Sequence, residues 1–368
     1  MKILFFAYDG KYGTTYHFVD WILAFEHNDN INIKYLISQK EQNEGLLEKL
    51  KNNIVDFDDK FYFIEDIRKD IFNDIDIIHV HGIGQLKLLK QNKIKAKIIF
   101  TVHAYRNSKW YKNIFKILFA FYIRKVDRIL FLSNLALKDF YKFNFYKFIL
   151  YKKSYVTFLG VNHKEYGNDD FYQEFTKKYN LSFNDSKKNI VYFAQFHKTK
   201  GHKWLIEVIS SINREDFIIW LFGEGILRED MIKLTQVLNI TNKVKIPGFV
   251  DRKYVPSLLS KSYCAISVSK SENGAHNLIE PFASSKALIG TTAGPGDDFL
   301  QDYYTGFRIE WKNKEQLSKA INLVLKNEDL VEQMGKNAKH VSEVFFTWDA
   351  MVKNCLFIYK ELLNETSN

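Results

Sequence analysis

Several residue types are scarce in this 368-residue chain, and each scarcity excludes a class of protein. The two cysteines, Cys264 and Cys355, are too few for a disulfide framework or a four-ligand zinc site, so we expect buried thiols in a reducing compartment. The chain holds only 17 glycines and 4 prolines, against an average share of roughly 12% for these two residues together. This composition excludes a collagen-like, linker-rich or largely disordered protein.

Long hydrophobic runs are missing as well. The apolar start of the chain is too short for a signal peptide, whose hydrophobic region takes about 7–15 residues. No run approaches the roughly 18 residues of a membrane-spanning helix. The sequence therefore predicts a cytoplasmic protein, and its length predicts two domains because one compact unit takes about 100–200 residues.

The net charge of +10 is concentrated in one segment. Residues 105–155 contain twelve Lys or Arg residues, two Asp residues and sixteen aromatic residues. Such a segment is typical of surfaces that bind anionic lipid or nucleic acid. Because the sequence has no RNP, KH or zinc-finger pattern, we expect no nucleic-acid partner.

Part of this segment has the pattern of a helix that lies on a membrane surface. We expect it to hold the protein at the inner face of the plasma membrane, by anionic lipid. The alternative is a helix whose apolar side packs into the core of the N-terminal domain. The apolar positions are Trp110, Ile114, Ile117, Leu118 and Phe121, and the basic positions are Lys109, Lys112 and Lys116.

Short apolar runs alternate with longer amphipathic stretches, which predicts right-handed crossovers and parallel sheets. The alternation pauses over residues 160–187, which are polar and lack a strong strand pattern. The sequence therefore predicts an α/β protein with two Rossmann-like, doubly wound domains, residues 1–165 and 185–345, facing each other across a cleft. We expect strands at residues 2–8, 31–37, 76–81, 96–102, 128–133, 155–159, 189–193, 217–222, 244–246, 263–268 and 287–290.

The most informative stretch runs from Val268 to Glu280. A strand ends, a loop with Gly274 follows, and a helix begins near Asn277. Free N–H groups and the helix dipole at such a start favour a diphosphate. Glu272 lies in the loop, and Glu280 lies about one turn into the helix, where a carboxylate can accept both hydroxyls of a ribose. The alternative is that both are ordinary glutamates.

A second cluster lies between Gln195 and Gly201, where another strand ends and another helix begins. Lys200 in this cluster can hold a phosphate as a point charge. The alternative is a solvated lysine at a helix start. The helix dipole mildly disfavours a lysine there, which makes a functional role more attractive.

Three weaker features follow other strands. Gly223 and Gly225 form a lone G-x-G that a simple tight turn also explains. His103 follows a strand end and can donate to a substrate oxygen, although a lone histidine is more often structural. His79 and His81 share one face of a strand, but no third ligand accompanies them, so we expect no metal site.

Taken in order along the chain, these clusters resemble the retaining glycosyltransferases of family 4, which have the GT-B fold. The resemblance covers nearly the whole chain, and the E-x7-E pair is its most specific element. The last motif precedes what resembles the family's final helix, here residues 348–368, which packs back on the N-terminal domain. The motifs are the glycine loop at 10–13, D-x-x-H-x-H at 76–81, T-x-H at 101–103, D-x-I-L-x-x-S at 127–133, G-V-N at 160–162, K-G at 200–201, G-x-G at 223–225, P-G-F-V at 247–250, E-x7-E at 272–280 and F-T-W at 346–348.

The resemblance implies roles for the catalytic residues. Lys200 would neutralise the donor diphosphate, and Glu272 would hold the transferred sugar. His103 would contact the same sugar from the N-terminal domain. Departure of the diphosphate develops negative charge, which a cation and a helix N-terminus stabilise. The family needs no metal or other cofactor for this step.

The resemblance also implies a donor site. Glu280 would bind the ribose, Phe249 and Val250 would line the base pocket, and Gly13 would let the first loop approach the donor. The function implied is transfer from a UDP- or GDP-sugar to a glycan or lipid-linked acceptor, with retention, in the synthesis of capsule, lipopolysaccharide or glycolipid. The full donor set is Gly13, Gln195, Gly223, Phe249, Val250, Gly274, Ala275, His276, Asn277 and Glu280.

Two departures from the family pattern keep other functions open. Gln195 stands where the family usually has an arginine, and Pro281 removes a helix N–H directly after Glu280. A catalytically impaired sugar-binding paralogue is therefore one alternative. A nucleotide-sugar epimerase or a phosphorylase on the same fold is another.

Overall fold

The computed structural model describes residues 1–7, 14–27, 31–37, 50–63, 69–82, 85–86, 89, 94–103, 123–141, 150–272 and 276–365. The chain divides into two compact units. Unit 1 is Met1–Gly160 together with Trp348–Asn368, and unit 2 is Val161–Thr347.

Within its described residues, unit 1 is built on a parallel sheet of seven strands in the order β3-β2-β1-β4-β5-β6-β7. The central strands are apolar runs that are buried on both faces, as parallel sheets require. The strands are β1 (Lys2–Ala7), β2 (Asn32–Ile37), β3 (Phe61–Phe63), β4 (Ile77–Val80), β5 (Lys97–Val102), β6 (Arg128–Phe131) and β7 (Ser154–Val156), and the helices are α1 (Thr14–Glu26), α2 (Phe57–Lys60) and α3 (Asn134–Tyr141).

The described part of unit 2 contains a parallel sheet of six strands in the order β10-β9-β8-β11-β12-β13. Residues 166–184, which lie between the two predicted domains, belong to this unit and contain its first helix, and so do residues 161–165, which were predicted in the first domain. The strands are β8 (Lys188–Phe193), β9 (Phe217–Phe222), β10 (Val244–Gly248), β11 (Cys264–Ser267), β12 (Leu288–Thr291) and β13 (Gly306–Ile309). The helices are α4 (Tyr172–Tyr179), α5 (His202–Ser210), α6 (Arg228–Val237), α7 (Val255–Lys261), α8 (His276–Ala283), α9 (Gly296–Phe299), α10 (Lys314–Lys326) and α11 (Glu328–Phe345).

The last helix, α12 (Trp348–Asn364), belongs to unit 1 and packs against α1. Its buried face includes Cys355, whose thiol lies 3.8 Å from the Thr157 hydroxyl, and Tyr359. Both cysteines are buried and free, which confirms the expectation for them. The C-terminal helix therefore completes the core of the unit that begins at the N-terminus.

The predicted α/β class and parallel sheets are confirmed. Every strand expected from an apolar run is present, with ends that differ by a few residues. We did not predict β3 and β13, which lie at edges of the two sheets, nor the helices α2, α4, α7 and α9. β3 and β13 have three and four residues, which is too short for a clear periodicity.

Part of the basic segment 105–155 falls outside the described residues, including the proposed membrane-surface helix at 109–121. In the part that is described, Arg128 is 7% exposed and forms an ion pair with Glu365, so its charge is used within unit 1. None of the described helices is both long and apolar enough to cross a membrane.

Candidate functional site

The candidate site of unit 2 lies where the strand order of its sheet reverses. β8 and β11 are neighbours in the sheet, and the chain leaves β8 toward β9 but leaves β11 toward β12. In doubly wound sheets, ligands bind at the carboxyl ends of the strands at such a reversal. The loops that follow these two strands carry Lys200 and Glu272.

Backbone contacts tie these two loops together. The amide N–H of Lys270 donates to the carbonyl of Thr199 over 2.7 Å. Gly201 has a φ of 73°, and a Cβ at this position would lie 2.3 Å from the carbonyl oxygen of Val268. Because only glycine tolerates both the left-handed φ and this approach, Gly201 allows the turn before α5 to pack on the end of β11.

The close approach of the loops brings two predicted catalytic residues into contact. The Lys200 ammonium forms an ion pair with Oε1 of Glu272, and both side chains are largely buried. Asn277 in the first turn of α8 donates to the same oxygen over 3.2 Å and to the Ser267 hydroxyl over 2.5 Å. The Tyr192 hydroxyl donates to the carbonyl of Lys200 over 2.9 Å. The pair is therefore held from both loops and from the start of α8.

Glu280 occupies a second and more deeply buried position on α8. Its side chain is 6% exposed, and its Oε1 lies 2.9 Å from Arg252 Nη2. The Tyr166 hydroxyl donates to the same oxygen over 3.2 Å, and Arg252 Nη2 also lies 3.2 Å from Nδ1 of His276. The contacts from Arg252 and Tyr166 both reach Oε1, which fixes the orientation of the carboxylate.

The electrostatics of Glu280 combine opposing effects. Burial raises the pKa of its carboxyl group, and the nearby charge of Glu165 acts in the same direction. The charge of Arg252 and the hydrogen bond from Tyr166 lower that pKa and so favour the carboxylate. A buried carboxylate without such a partner would tend to take up a proton.

Sequence reasoning missed Arg252 and Tyr166. Arg252 comes two residues after the P-G-F-V motif, and Tyr166 lies in the stretch that was interpreted as a linker. Both reach Glu280 across long sequence separations, which one sequence cannot reveal. The only available signal was a cation directly after a motif of the donor site.

The turn after β9 contains Gly223, with a φ of 141°. A Cβ there would lie 2.1 Å from the carbonyl oxygen of Ala194, so the loops after β8 and β9 touch through their backbones. Glu224 in this turn accepts a hydrogen bond from the Phe249 amide over 3.2 Å. The Phe249 side chain is 56% exposed, whereas Val250 is buried.

The remaining predicted donor residues lie apart from the ion pairs or outside the described residues. Gln195 is exposed in the loop after β8. Gly13, Gly274 and Ala275 fall outside the described residues, so the structure assigns them no place.

In unit 1, His103 follows β5 and belongs to a buried histidine cluster. Its Nε2 lies 2.7 Å from Nδ1 of His81, a contact in which one nitrogen donates and the other accepts. His79 bonds through Nδ1 to the Tyr359 hydroxyl over 2.5 Å and through Nε2 to the Thr101 hydroxyl over 2.6 Å. Burial lowers the pKa of His103 to about 4 and the pKa values of His79 and His81 well below their usual range.

A histidine metal site has no support in the described residues, where no three His, Cys, Asp or Glu side chains are placed to hold an ion. The ring nitrogens of His79 are instead used within the fold, on Thr101 and Tyr359. The cluster therefore acts as polar core packing at the carboxyl ends of β4 and β5.

This chain is similar in sequence to known glycosyltransferases. Residues 173–341 match the family model described as Glycosyl transferases group 1. Uncharacterized glycosyltransferase MJ1178 of Methanocaldococcus jannaschii is 27% identical over 294 residues, covering 78% of this chain and 76% of that protein. The N-acetylgalactosamine-N,N'-diacetylbacillosaminyl-diphospho-undecaprenol 4-alpha-N-acetylgalactosaminyltransferase of Campylobacter jejuni is 26% identical over 160 residues, 43% of each chain.

A solved structure gives the fold of both units. The crystal structure of Anabaena Alr3699/HepE in complex with UDP and glucose matches with a TM-score of 0.78 and 14% identity, covering 100% of this chain and 99% of that one. At this identity the match concerns the fold alone. It confirms the expected GT-B fold.

We expect Arg252→Ala to lower the free energy of unfolding by about 3–5 kcal/mol at pH 8, because it leaves the Glu280 carboxylate buried without its cation. The loss should shrink as the pH falls, since protonation of Glu280 removes the unpaired charge. Denaturant unfolding of the wild type and of Arg252→Ala, at pH 8 and at lower pH, measures this loss.

The double variant Arg252→Ala with Glu280→Gln should recover most of the lost stability. Lys253→Ala is the matched control, because Lys253 forms an exposed ion pair with Glu174. That loss should stay below about 1 kcal/mol. Equal losses in the Arg252 and Lys253 variants would contradict the assigned role.

We expect acid to loosen unit 1 between about pH 6.5 and pH 4. In this range the unfolded chain binds protons on its histidines while the buried His79, His81 and His103 do not, so stability falls as the pH falls. Hydrogen exchange of peptides that cover β4 and β5 measures the effect. His103→Gln should reduce the pH dependence, and His340→Gln, on an exposed face of α11, should leave it unchanged.

Proposed function

This chain carries a group 1 glycosyltransferase domain, and we propose that it transfers a sugar from a nucleoside diphosphate donor to a hydroxyl group of a glycan or lipid-linked acceptor. The anomeric configuration is retained. The observation that carries the proposal is the Lys200–Glu272 ion pair at the start of α8.

The ion pair supplies the charge that the reaction needs. Cleavage of the bond between the sugar and the diphosphate develops negative charge on the leaving group. Lys200 and the N-terminal end of α8 are both positive, and Asn277 shows that they lie within side-chain reach of one carboxylate. When the diphosphate binds, it takes the place of Glu272 as the partner of Lys200, and the freed carboxylate accepts from hydroxyls of the transferred sugar.

Glu280 binds the ribose in this proposal. Arg252 and Tyr166 occupy Oε1, so the second carboxylate oxygen is the one directed at ribose hydroxyls. Phe249 and Val250 follow β10 beside Arg252 and line the base pocket. No metal ion takes part in the proposed reaction, so EDTA leaves the rate unchanged.

The relatives guide the choice of substrates. HepE was crystallised with UDP and glucose, which makes UDP the first nucleotide to test. The Campylobacter relative acts on an undecaprenyl diphosphate-linked acceptor according to its name, which supports a lipid-linked or glycan acceptor of surface polysaccharide synthesis. That match covers less than half of each chain, so the acceptor is part of the proposal.

One nucleotide among UDP, GDP, ADP and CMP should raise the melting temperature of the wild type by several degrees. A ligand at 100 times its Kd adds about 2.7 kcal/mol of stability. Glu280→Ala and the isosteric Glu280→Gln should lose the shift, while Glu229→Ala, at an exposed position on α6, should keep it. No shift with any nucleotide would favour the impaired paralogue.

Measurement of activity and analysis of the product distinguish a glycosyltransferase from an epimerase or a phosphorylase. Lys200→Ala should reduce kcat/KM by about 10²–10³ because it removes a cation aimed at the leaving group. NMR of the product should show the anomeric configuration of the donor. An epimerised donor, or transfer of the sugar to inorganic phosphate, would identify an epimerase or a phosphorylase instead.

Residues 105–155 hold the enzyme on anionic lipid in this proposal, through the charges that the described fold does not use. Replacing Lys109, Lys112 and Lys116 by Gln should weaken binding to phosphatidylglycerol vesicles by at least tenfold, since each basic residue contributes about 1 kcal/mol near such a surface. Vesicle flotation measures this, with neutral phosphatidylcholine vesicles as the control. Equal flotation with both lipids would remove the membrane role.

A further inference from the structure

A groove of about 830 Å³ lies in unit 2 on the other side of the turn that carries Lys200. It is lined by the start of α5, one face of α6 and residues 311–314 before and at the start of α10. The lining includes Gly201 but neither Lys200, Glu272 nor Glu280. The groove is therefore a separate site from the one described above, although the two share one turn.

The wall of the groove is largely apolar and aromatic. Trp204 and Trp311 meet with ring centroids 5.5 Å apart and an interplanar angle of 68°. Leu227, Met231 and Leu234 line the side of α6. Two tryptophans at this angle offer no parallel slot for a flat nucleobase. Trp204 is 5% exposed and backs the corner that the two rings form, so the partly exposed ring of Trp311 is the surface that suits the C–H face of a sugar ring.

The start of α5 gives the groove free hydrogen-bond donors. No side chain caps the helix at Gly201, and the first bond of the helix runs from the Leu205 amide to the Gly201 carbonyl. The amides of residues 202–204 therefore have no intrahelical partner, and the positive end of the helix dipole lies at the groove. This arrangement favours an oxyanion.

Two buried side chains of the lining also lack hydrogen-bond partners. Trp204 is 5% exposed, and its Nε1 has no partner among the described residues. His202 is 3% exposed, and neither ring nitrogen has one in the same set. Burial lowers the pKa of His202 to about 3, so its neutral ring can donate one hydrogen bond and accept another. A buried polar group without a partner is destabilising, so a hydrogen bond to an oxygen atom of a ligand would stabilise these side chains.

The charges of the lining are positive in balance. Lys314 is paired with Glu207 over 2.9 Å. Lys198, Lys203 and Lys312 are exposed and form no ion pair with any described residue. Asp230 is the remaining acidic residue of the lining. An anion therefore finds both a helix N-terminus and an excess of unpaired cations.

We infer that this groove binds an anionic saccharide, with a sugar ring in the Trp204–Trp311 corner and a phosphate or carboxylate at the start of α5. Lys198 and Lys203 lie on the turn and helix that receive the anion, and Lys312 closes the other side. Two sources supply this chemistry, a free sugar phosphate and an acidic segment of a polysaccharide chain. Binding here does not depend on the transfer reaction.

Isothermal titration calorimetry on the whole chain, with saturating UDP present, tests the site. The probes are glucose 6-phosphate, a hyaluronan hexasaccharide, neutral maltohexaose and inorganic phosphate. At least one anionic saccharide should bind at least tenfold more tightly than maltohexaose and phosphate, and which of the two binds identifies the source. If phosphate alone binds as tightly, the sugar-binding corner is wrong.

Variants locate the binding. Trp311→Ala, and separately Lys203→Gln with Lys312→Gln, should each weaken the saccharide at least tenfold and change the Kd of UDP less than twofold. The exposed pair Lys326→Gln with Lys336→Gln is the matched control for charge and should change neither. Retained affinity in both groove variants would overturn the inference, as would competition between the saccharide and UDP.

The result is separable from the proposed function. A chain that binds no nucleotide can still bind the anionic saccharide, and titration without UDP then gives the same ranking of probes. Because the lysine variants change only exposed side chains, a folding defect in Trp311→Ala would leave the test intact.

Discussion

Parallel strand pairing is the constraint on which both halves of this molecule depend. Parallel strands place all their carboxyl ends at one edge of the sheet, and a reversal of strand order leaves an opening there. In unit 2 the reversal falls between β8 and β11, so the loops that follow them must lie side by side. The Lys200–Glu272 pair is a consequence of that arrangement, since 72 residues separate the two side chains.

Glu272 and Glu280, eight residues apart, have different ion-pair partners and different positions in unit 2. Glu272 lies in a loop and pairs with a lysine, a flexible point charge that can transfer to another anion. Glu280 lies within α8 and pairs with an arginine, while a tyrosine hydroxyl holds the same oxygen. The first pair can therefore exchange partners, whereas the second is fixed in place. In the proposed reaction both properties matter, because Lys200 must exchange Glu272 for the diphosphate when the donor binds, while Glu280 keeps one orientation toward the ribose.

The parts that sequence reasoning predicted are those in which local pattern and fold agree. Central strands such as β4 and β9 are continuous apolar runs, and the loops after β8 and β11 were recognised because glycine, lysine and glutamate occur where a strand meets a helix. Arg252 and Tyr166 were not predicted, because their contacts with Glu280 depend on where distant segments of the chain meet, and no local sequence pattern encodes that. The edge strands β3 and β13 were not predicted for a different reason. A strand of three or four residues is too short to show a periodic pattern of apolar residues.

The turn from Lys198 to Gly201 shows how a fold can present charge in two directions. Its last lysine contacts Glu272 at the carboxyl end of β11, and its first lysine lines the groove beside α5. Gly201 makes this possible, because a side chain there would collide with Val268 and with the ring of Trp311. One residue without a Cβ thus brings the tryptophan wall of the groove against the same backbone that carries Lys200. The groove and the proposed donor site are therefore adjacent through this backbone, although they share no polar side chain.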